Sequence, residues 1–212
     1  MEQDLTRIPG WQGFFDTELA STPVVVILRG LSPDEAVSAA RHAWSAGVRL
    51  VEVTIESEAG LPALEAVVHA AGGNVPVGAG TVTTPQRLKQ AAELGARFGV
   101  APGLDADTVQ AADEHRVPFL PGVATPSEAG HALRLGVTTV KAFPASSLGP
   151  EWIRALAGPF PELRVVATGG VRASNAADYL QAGALGVGVG ASVASGGLAE
   201  LAHELETLNG SG

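Results

Sequence analysis

The sequence predicts a (β/α)8 barrel, and three observations carry that prediction. Eight short apolar, β-branched runs recur along 212 residues, about 20 to 26 residues apart, the length of one strand, one helix and two short loops. The runs are nearly continuous in apolar residues, as strands buried on both faces of a parallel sheet must be. Helix-start and helix-stop signals alternate with them. The other architecture compatible with this alternation is an open doubly wound sheet.

The elements follow in order. Trp11 to Ala20 reads as a leading helix, so residues 1–22 form an N-terminal helical segment and 23–212 the barrel, all one domain over 1–212. The strand runs are Val24 to Leu28, Leu50 to Ile55, Val75 to Val82, Phe98 to Val100, Pro118 to Val123, Thr139 to Phe143, Arg164 to Ala167 and Leu185 to Val189. Ser32-Pro33-Asp34-Glu35 and Thr125-Pro126-Ser127-Glu128 each read as N-cap, proline at N1 and capping-box glutamate. Thr84-Pro85 and Gly149-Pro150 are weaker starts of the same kind. Gly47, Gly95, Gly136 and Gly183 stand where a left-handed C′ residue would end a helix ahead of the next strand.

Composition excludes several functions. Eleven arginines and two lysines against 22 acidic residues leave a net charge of −9. That balance argues against nucleic acid, which needs a basic face, and against anionic membrane surfaces. The 46% hydrophobic and 17% charged content excludes a disordered chain. With no cysteine there is no disulfide framework, thiolate nucleophile or thiolate metal site. An acidic start and the lack of any apolar run near 20 residues predict a soluble, cytoplasmic protein.

Strand parity locates the chemistry, because alternate residues face opposite sides. On the second strand Val51, Val53 and Ile55 share one face, leaving Glu52, Thr54 and Glu56 on the other. On the sixth, Lys141 groups with Thr139 and Phe143. Arg29 shares the parity of Val25 and Ile27, and Thr81 that of Val77 and Ala79. Helices cover the outside of a barrel, so the polar set is expected in the lumen. The second and sixth of eight strands face each other across it, which brings Glu52 and Lys141 together.

A lysine buried there loses part of its preference for the charged form and becomes a nucleophile near neutral pH. The structural alternative is a buried Lys–Glu ion pair. Lys89 instead belongs to a polar helix face. Gly169-Gly170-Val171 and Gly188-Val189-Gly190-Ala191-Ser192 follow the seventh and eighth strands, where barrels of this kind hold phosphate on backbone N–H groups. The five histidines fall in outer helical segments without ligand spacing, so no metal is expected. An oxygen-ligand site on Glu52 and Glu56 is the remaining metal alternative.

Six motifs in order resemble one family: Val51-Glu52-Val53-Thr54, Gly78-Ala79-Gly80-Thr81-Val82, Pro121 to Glu128, Lys141-Ala142-Phe143-Pro144, Gly158-Pro159-Phe160-Pro161 and Ala167-Thr168-Gly169-Gly170-Val171. The chain is similar to the 2-dehydro-3-deoxy-phosphogluconate aldolases, a family that includes 4-hydroxy-2-oxoglutarate and phosphogalactonate aldolases. The resemblance implies a metal-independent class I aldolase with no cofactor, acting as a homotrimer on a phosphorylated keto sugar acid. It implies Lys141 as Schiff-base lysine and Glu52 as general acid/base. Arg29, Thr81, Pro102 and Phe143 would bind substrate, and Gly169, Gly170, Gly190 and Ser192 the phosphate. One position departs: Glu56 stands where many members carry an arginine that helps hold the substrate. Leu28-Arg29-Gly30 and Pro144 to Pro150 resemble the phosphogalactonate branch, so that epimer and 4-hydroxy-2-oxoglutarate stand as alternative substrates. A non-catalytic sugar-phosphate binding barrel is the alternative from another class.

Overall fold

A computed structural model describes residue 11 and residues 13–190. The strands are β1 (Val24–Leu28), β2 (Leu50–Thr54), β3 (Val77–Gly80), β4 (Phe98–Val100), β5 (Phe119–Leu120), β6 (Gly122–Val123), β7 (Thr139–Ala142), β8 (Arg164–Thr168) and β9 (Gly186–Gly190). The α-helices are α1 (Phe14–Leu19), α2 (Pro33–Ser45), α3 (Leu61–Ala71), α4 (Pro85–Glu93), α5 (Ala106–His115), α6 (Pro126–Arg134), α7 (Ala145–Leu148), α8 (Pro150–Ala157) and α9 (Ala173–Gln181). All the strand pairings are parallel, in the order β5-β4-β3-β2-β1-β9-β8-β7-β6.

That order begins and ends on two halves of one strand. Pro121 has no N–H to give a ladder, and it divides the fifth apolar run into β5, which pairs with β4, and β6, which pairs with β7. Its carbonyl accepts from the Lys141 N–H at 2.8 Å, which carries the hydrogen bonding across the break and closes the ring. Eight strands in sequence terms therefore become nine segments of one barrel, and the open-sheet alternative is excluded. The sixth expected strand is β7; the Gly169–Gly170 turn follows β8, whereas Gly188 and Gly190 lie within β9 itself and residues 191 and 192 fall outside the described residues.

The capping signals form as read. Ser32 and Thr125 each accept from the backbone N–H three residues on, while Glu35 and Glu128 reach back to the cap. Thr84 caps α4 through its side chain, but α8 starts at Gly149 without one. The chain is left-handed at Gly47, Gly95, Gly136 and Gly183, with φ of 83°, 93°, 78° and 97°.

Alternation splits the apolar side chains into two cores. The outer core packs Val24, Val26, Leu28, Val51 and Val53 against α2 and α3 residues such as Ala36, Ala40, Leu64 and Val67. The inner one joins Val25, Leu50, Phe98, Val100, Leu120 and Val166 to Phe15 and Leu19 of the leading helix. That helix is shorter than expected, but it plugs the N-terminal mouth of the barrel. Phe14 and Phe15 both meet Phe98 at ring separations of 5.9 Å, Phe15 in the edge-to-face geometry favoured by aromatic quadrupoles. Arg49–Glu18 at 2.7 Å and Arg164–Asp16 at 3.3 Å tie α1 to the starts of β2 and β8. The lumen thus has an apolar floor, and β2, β7 and β8 place the buried polar residues Glu52, Lys141 and Thr168 above it.

Candidate active site

Two residues beyond Leu50 on β2 lies Glu52, and two beyond Thr139 on β7 lies Lys141, so both keep the inward parity of the floor. They are 2% and 5% exposed, against a rule that ionisable side chains stay in water unless partnered. Counting either way round the closed sheet, β2 and β7 are four strands apart. Space for the carboxyl comes from Gly80: a Cβ there would lie 2.8 Å from Glu52 Oε1. The Phe143 ring centroid stands 4.8 Å from Lys141 Nζ and walls one side of the amine.

Both ionisations respond to this burial. Desolvation pushes the Lys141 ammonium below the ordinary lysine value; the Glu52 charge opposes that shift and Arg29 adds to it. Desolvation raises the Glu52 carboxyl, against the pull of Lys141 and then Arg29. An amine easier to deprotonate faces a carboxyl more willing to hold a proton. That is a matched nucleophile and proton shuttle.

Arg29 follows β1 at the C-terminal mouth. Its Nη1 is 3.7 Å from Glu56 Oε1, both side chains partly exposed. Residue 56 is held in turn by Arg87 of α4, whose Nη2 donates to the Glu56 carbonyl at 2.8 Å. Glu56 therefore meets a cation at the mouth, and Lys89 pairs instead with Glu93 on an exposed helix face.

Thr81 follows β3 with φ of 61°, a left-handed conformation that a β-branched residue adopts only under constraint. Val77 and Ala79, which share its parity, belong to the outer core. The alternation ends at Thr81, so parity alone does not carry it into the lumen. Pro102 lies in the loop after β4, packed against Gly122, and lines a cleft with Val82, Leu104 and Phe119. The structure thus gathers Glu52, Lys141, Phe143 and Arg29 about one centre, while Thr81 and Pro102 stand on the neighbouring β3 and β4 loops.

Past β8 the chain turns through Gly169 and Gly170, with φ of 92° and 80°, directly into α9. The loop is closely held: the Ser146 N–H donates to the Gly169 carbonyl at 2.9 Å, and a Cβ on Gly170 would meet Ser146 Oγ at 2.6 Å. Bare backbone leading into a helix N-terminus favours an anion. Gly190 ends β9, paired with Ile27 of β1. Ser192 lies outside the described residues.

Sequence reading missed Thr168, which is 4% exposed and opposes Gly188 at the end of β8. Following alternate residues from Arg164 through Val166 would have found it. Among the described residues, no group of three or more His, Asp or Glu side chains is placed to hold a metal, and no helix is long and apolar enough to span a membrane.

Comparisons with known proteins identify the family and the fold. The family model for KDPG and KHG aldolase matches residues 15–205. The KHG/KDPG aldolase of Escherichia coli K12 is 36% identical over 171 residues, covering 80% of each chain. The 2-dehydro-3-deoxy-6-phosphogalactonate aldolase of the same organism is 35% identical over 172 residues, covering 81% of this chain and 84% of its own. Among solved structures, the KDPG aldolase of Legionella pneumophila superposes with a TM-score of 0.78 at 28% identity, over 90% of this chain and 95% of that one. That crystal structure holds pyruvate captured as a covalent carbinolamine.

Proposed function

The chain belongs to the KDPG and KHG aldolase family, and from that membership we propose that Lys141 and Glu52 carry a class I aldol cleavage of 2-keto-3-deoxy-6-phosphogluconate to pyruvate and glyceraldehyde 3-phosphate. The observation that supports these roles is the buried Lys141–Glu52 pair in the lumen. A solvated lysine would be an ammonium and a poor nucleophile at neutral pH; burial removes that obstacle.

The steps follow from the two groups. Neutral Lys141 attacks the C2 ketone, and Glu52 moves the protons that turn the carbinolamine into an iminium and release water. Glu52, directly or through water, then takes the C4 hydroxyl proton. The C3–C4 bond breaks toward the iminium, leaving an enamine on Lys141 and freeing the phosphorylated aldehyde. Protonation at C3 and addition of water release pyruvate and restore the amine. One difficult carbon–carbon cleavage becomes several easier steps.

The remaining residues orient the substrate. Arg29 and Thr81 flank the keto-acid carboxylate, and Phe143 and Pro102 shape the pocket. Gly169, Gly170, Gly190 and Ser192 take the phosphate, whose binding energy positions the reacting carbons. No cofactor or metal is required by these steps. The galactonate epimer is a second reading, supported by the 35% identity to the phosphogalactonate aldolase and by the Leu28-Arg29-Gly30 motif; 4-hydroxy-2-oxoglutarate, whose distal group is a carboxylate, is the third. Composition and charge support a single-domain cytoplasmic enzyme without nucleic-acid or membrane partners, and the family resemblance supports a homotrimer.

The test is borohydride reduction in the presence of pyruvate. Mass spectrometry should locate a reduced pyruvate adduct on Lys141, and Lys141→Arg should form none. Pyruvate release from the gluconate and galactonate substrates, with and without the 6-phosphate, and from 4-hydroxy-2-oxoglutarate then ranks the three readings. A wild-type protein that forms no adduct and cleaves no keto-deoxy acid is instead a sugar-phosphate binding barrel.

A further inference from the structure

Glu56 is an unexpected residue for the mouth of a site that binds anions. Its carboxyl holds below the ordinary range although burial pushes the other way: its own backbone N–H, the Thr54 hydroxyl, Arg29 and Arg87 together outweigh desolvation. The carboxylate is therefore ionised near neutrality, 3.7 Å from Arg29 Nη1. The backbone that carries it is fixed by Arg87, whose Nη2 donates to the Glu56 carbonyl at 2.8 Å. Arg29 in turn is close enough to Lys141 and Glu52 for its charge to act on both.

A 2-keto acid carries its carboxylate on the carbon next to the ketone. With that ketone at Lys141 Nζ, the carboxylate must settle within a few ångströms of the amine, where the positive charge of Arg29 already acts. Two carboxylates, one from the substrate and one from Glu56, then address one guanidinium. Arg29 has the donors to serve both at once, but each weakens its hold on the other.

We propose that Glu56 is a positioning residue built into the site as a resident competitor for Arg29: it keeps the guanidinium at the pocket mouth and lowers the affinity for the keto-acid carboxylate, which favours release of pyruvate. The inference rests on the aldolase reading above. It assigns Glu56 a role of its own, distinct from the arginine that many similar sequences carry there.

The experiment measures the pyruvate concentration that gives half-maximal borohydride trapping on Lys141 in the full-length protein. Glu56→Gln should lower it by about two- to fivefold, the range expected for a partly exposed ion pair, and Glu56→Ala should move it the same way. Hydroxyacetone has the ketone without the carboxylate, so its half-saturation should stay put, which a merely structural effect would not arrange. In an Arg29→Met background the Glu56→Gln change should vanish. An unchanged or higher pyruvate requirement in Glu56→Gln overturns the proposal, as does an equal shift for hydroxyacetone or an undiminished effect without Arg29. If the wild type forms no adduct at any pyruvate concentration, the Schiff-base reading itself fails and this inference falls with it.

Discussion

Lys141 and Glu52 enter the lumen from strands four positions apart in either direction, and each is the largest charge acting on the other's ionisation. Neither would be stable as a lone ion among the apolar residues of the floor. Their opposition across the barrel makes an uncommon burial tolerable, and it leaves a proton that can be moved between substrate and protein.

The first prediction concerns Glu52. Glu52→Gln keeps the size of the side chain but cannot exchange a proton, so turnover should fall by about 10²–10⁴, the usual contribution of a positioned acid or base. Exchange of pyruvate methyl protons with deuterium from solvent, followed by NMR, reports the enamine step directly and should fall with it. Full exchange in Glu52→Gln would assign the proton transfer to another group.

The second prediction is a linkage between pH and stability. The folded Lys141 value lies below the ordinary 10.5, so between the two the unfolded chain binds more protons and stability rises with pH. The folded Glu52 value lies above the ordinary 4.5, so from 4.5 up to the raised value the folded chain binds more protons and stability falls as pH rises. Denaturant titrations should find both slopes in the wild type. They should be absent from Lys141→Met/Glu52→Gln, which buries neither an ionisable amine nor a carboxyl. Matching slopes in the two proteins would contradict the burial of charge.

Much of this arrangement is legible in the sequence because it depends on local rules. β-Branched runs, capping boxes at Ser32 and Thr125, and the parity of Glu52 and Lys141 each require only neighbouring residues. The features that were not legible depend on where distant segments meet. Pro121 looks like part of one strand until β4 and β7 are seen to claim its two sides. Thr81 follows the outward parity of Val77 and Ala79, and only its left-handed backbone shows that the alternation has ended. The Arg29–Glu56 contact joins the ends of two strands, so a charge reversal that looks unfavourable in one dimension is compensated in three.

A third prediction tests the floor. Phe15 is 2% exposed and its ring packs edge-on against Phe98 at 5.9 Å. Phe15→Ala should cost about 3–5 kcal/mol, the range for emptying a buried aromatic site, measured as a shift in the denaturant midpoint. Breaking Arg164–Asp16 at the surface should cost no more than about 1 kcal/mol. Equal losses would mean that the surface ion pair seats α1 as firmly as the aromatic plug does.

The fourth prediction separates phosphate recognition from chemistry. Gly170 has φ of 80°, and a Cβ there would sit 2.6 Å from Ser146 Oγ. Gly170→Ala must therefore reshape the loop between β8 and α9, both because an L side chain is strained at that φ and because Ser146 has to move. Lys141 and Glu52 lie on other strands, so pyruvate trapping by borohydride should be preserved. Binding that depends on the loop should suffer: KM for the phosphorylated substrate should rise by about tenfold or more, the loss of one to two hydrogen bonds to a charged group. KM for the substrate lacking phosphate should barely change. Equal rises in both would move the phosphate site elsewhere, whereas loss of trapping would mean that the loop supports the catalytic lysine itself.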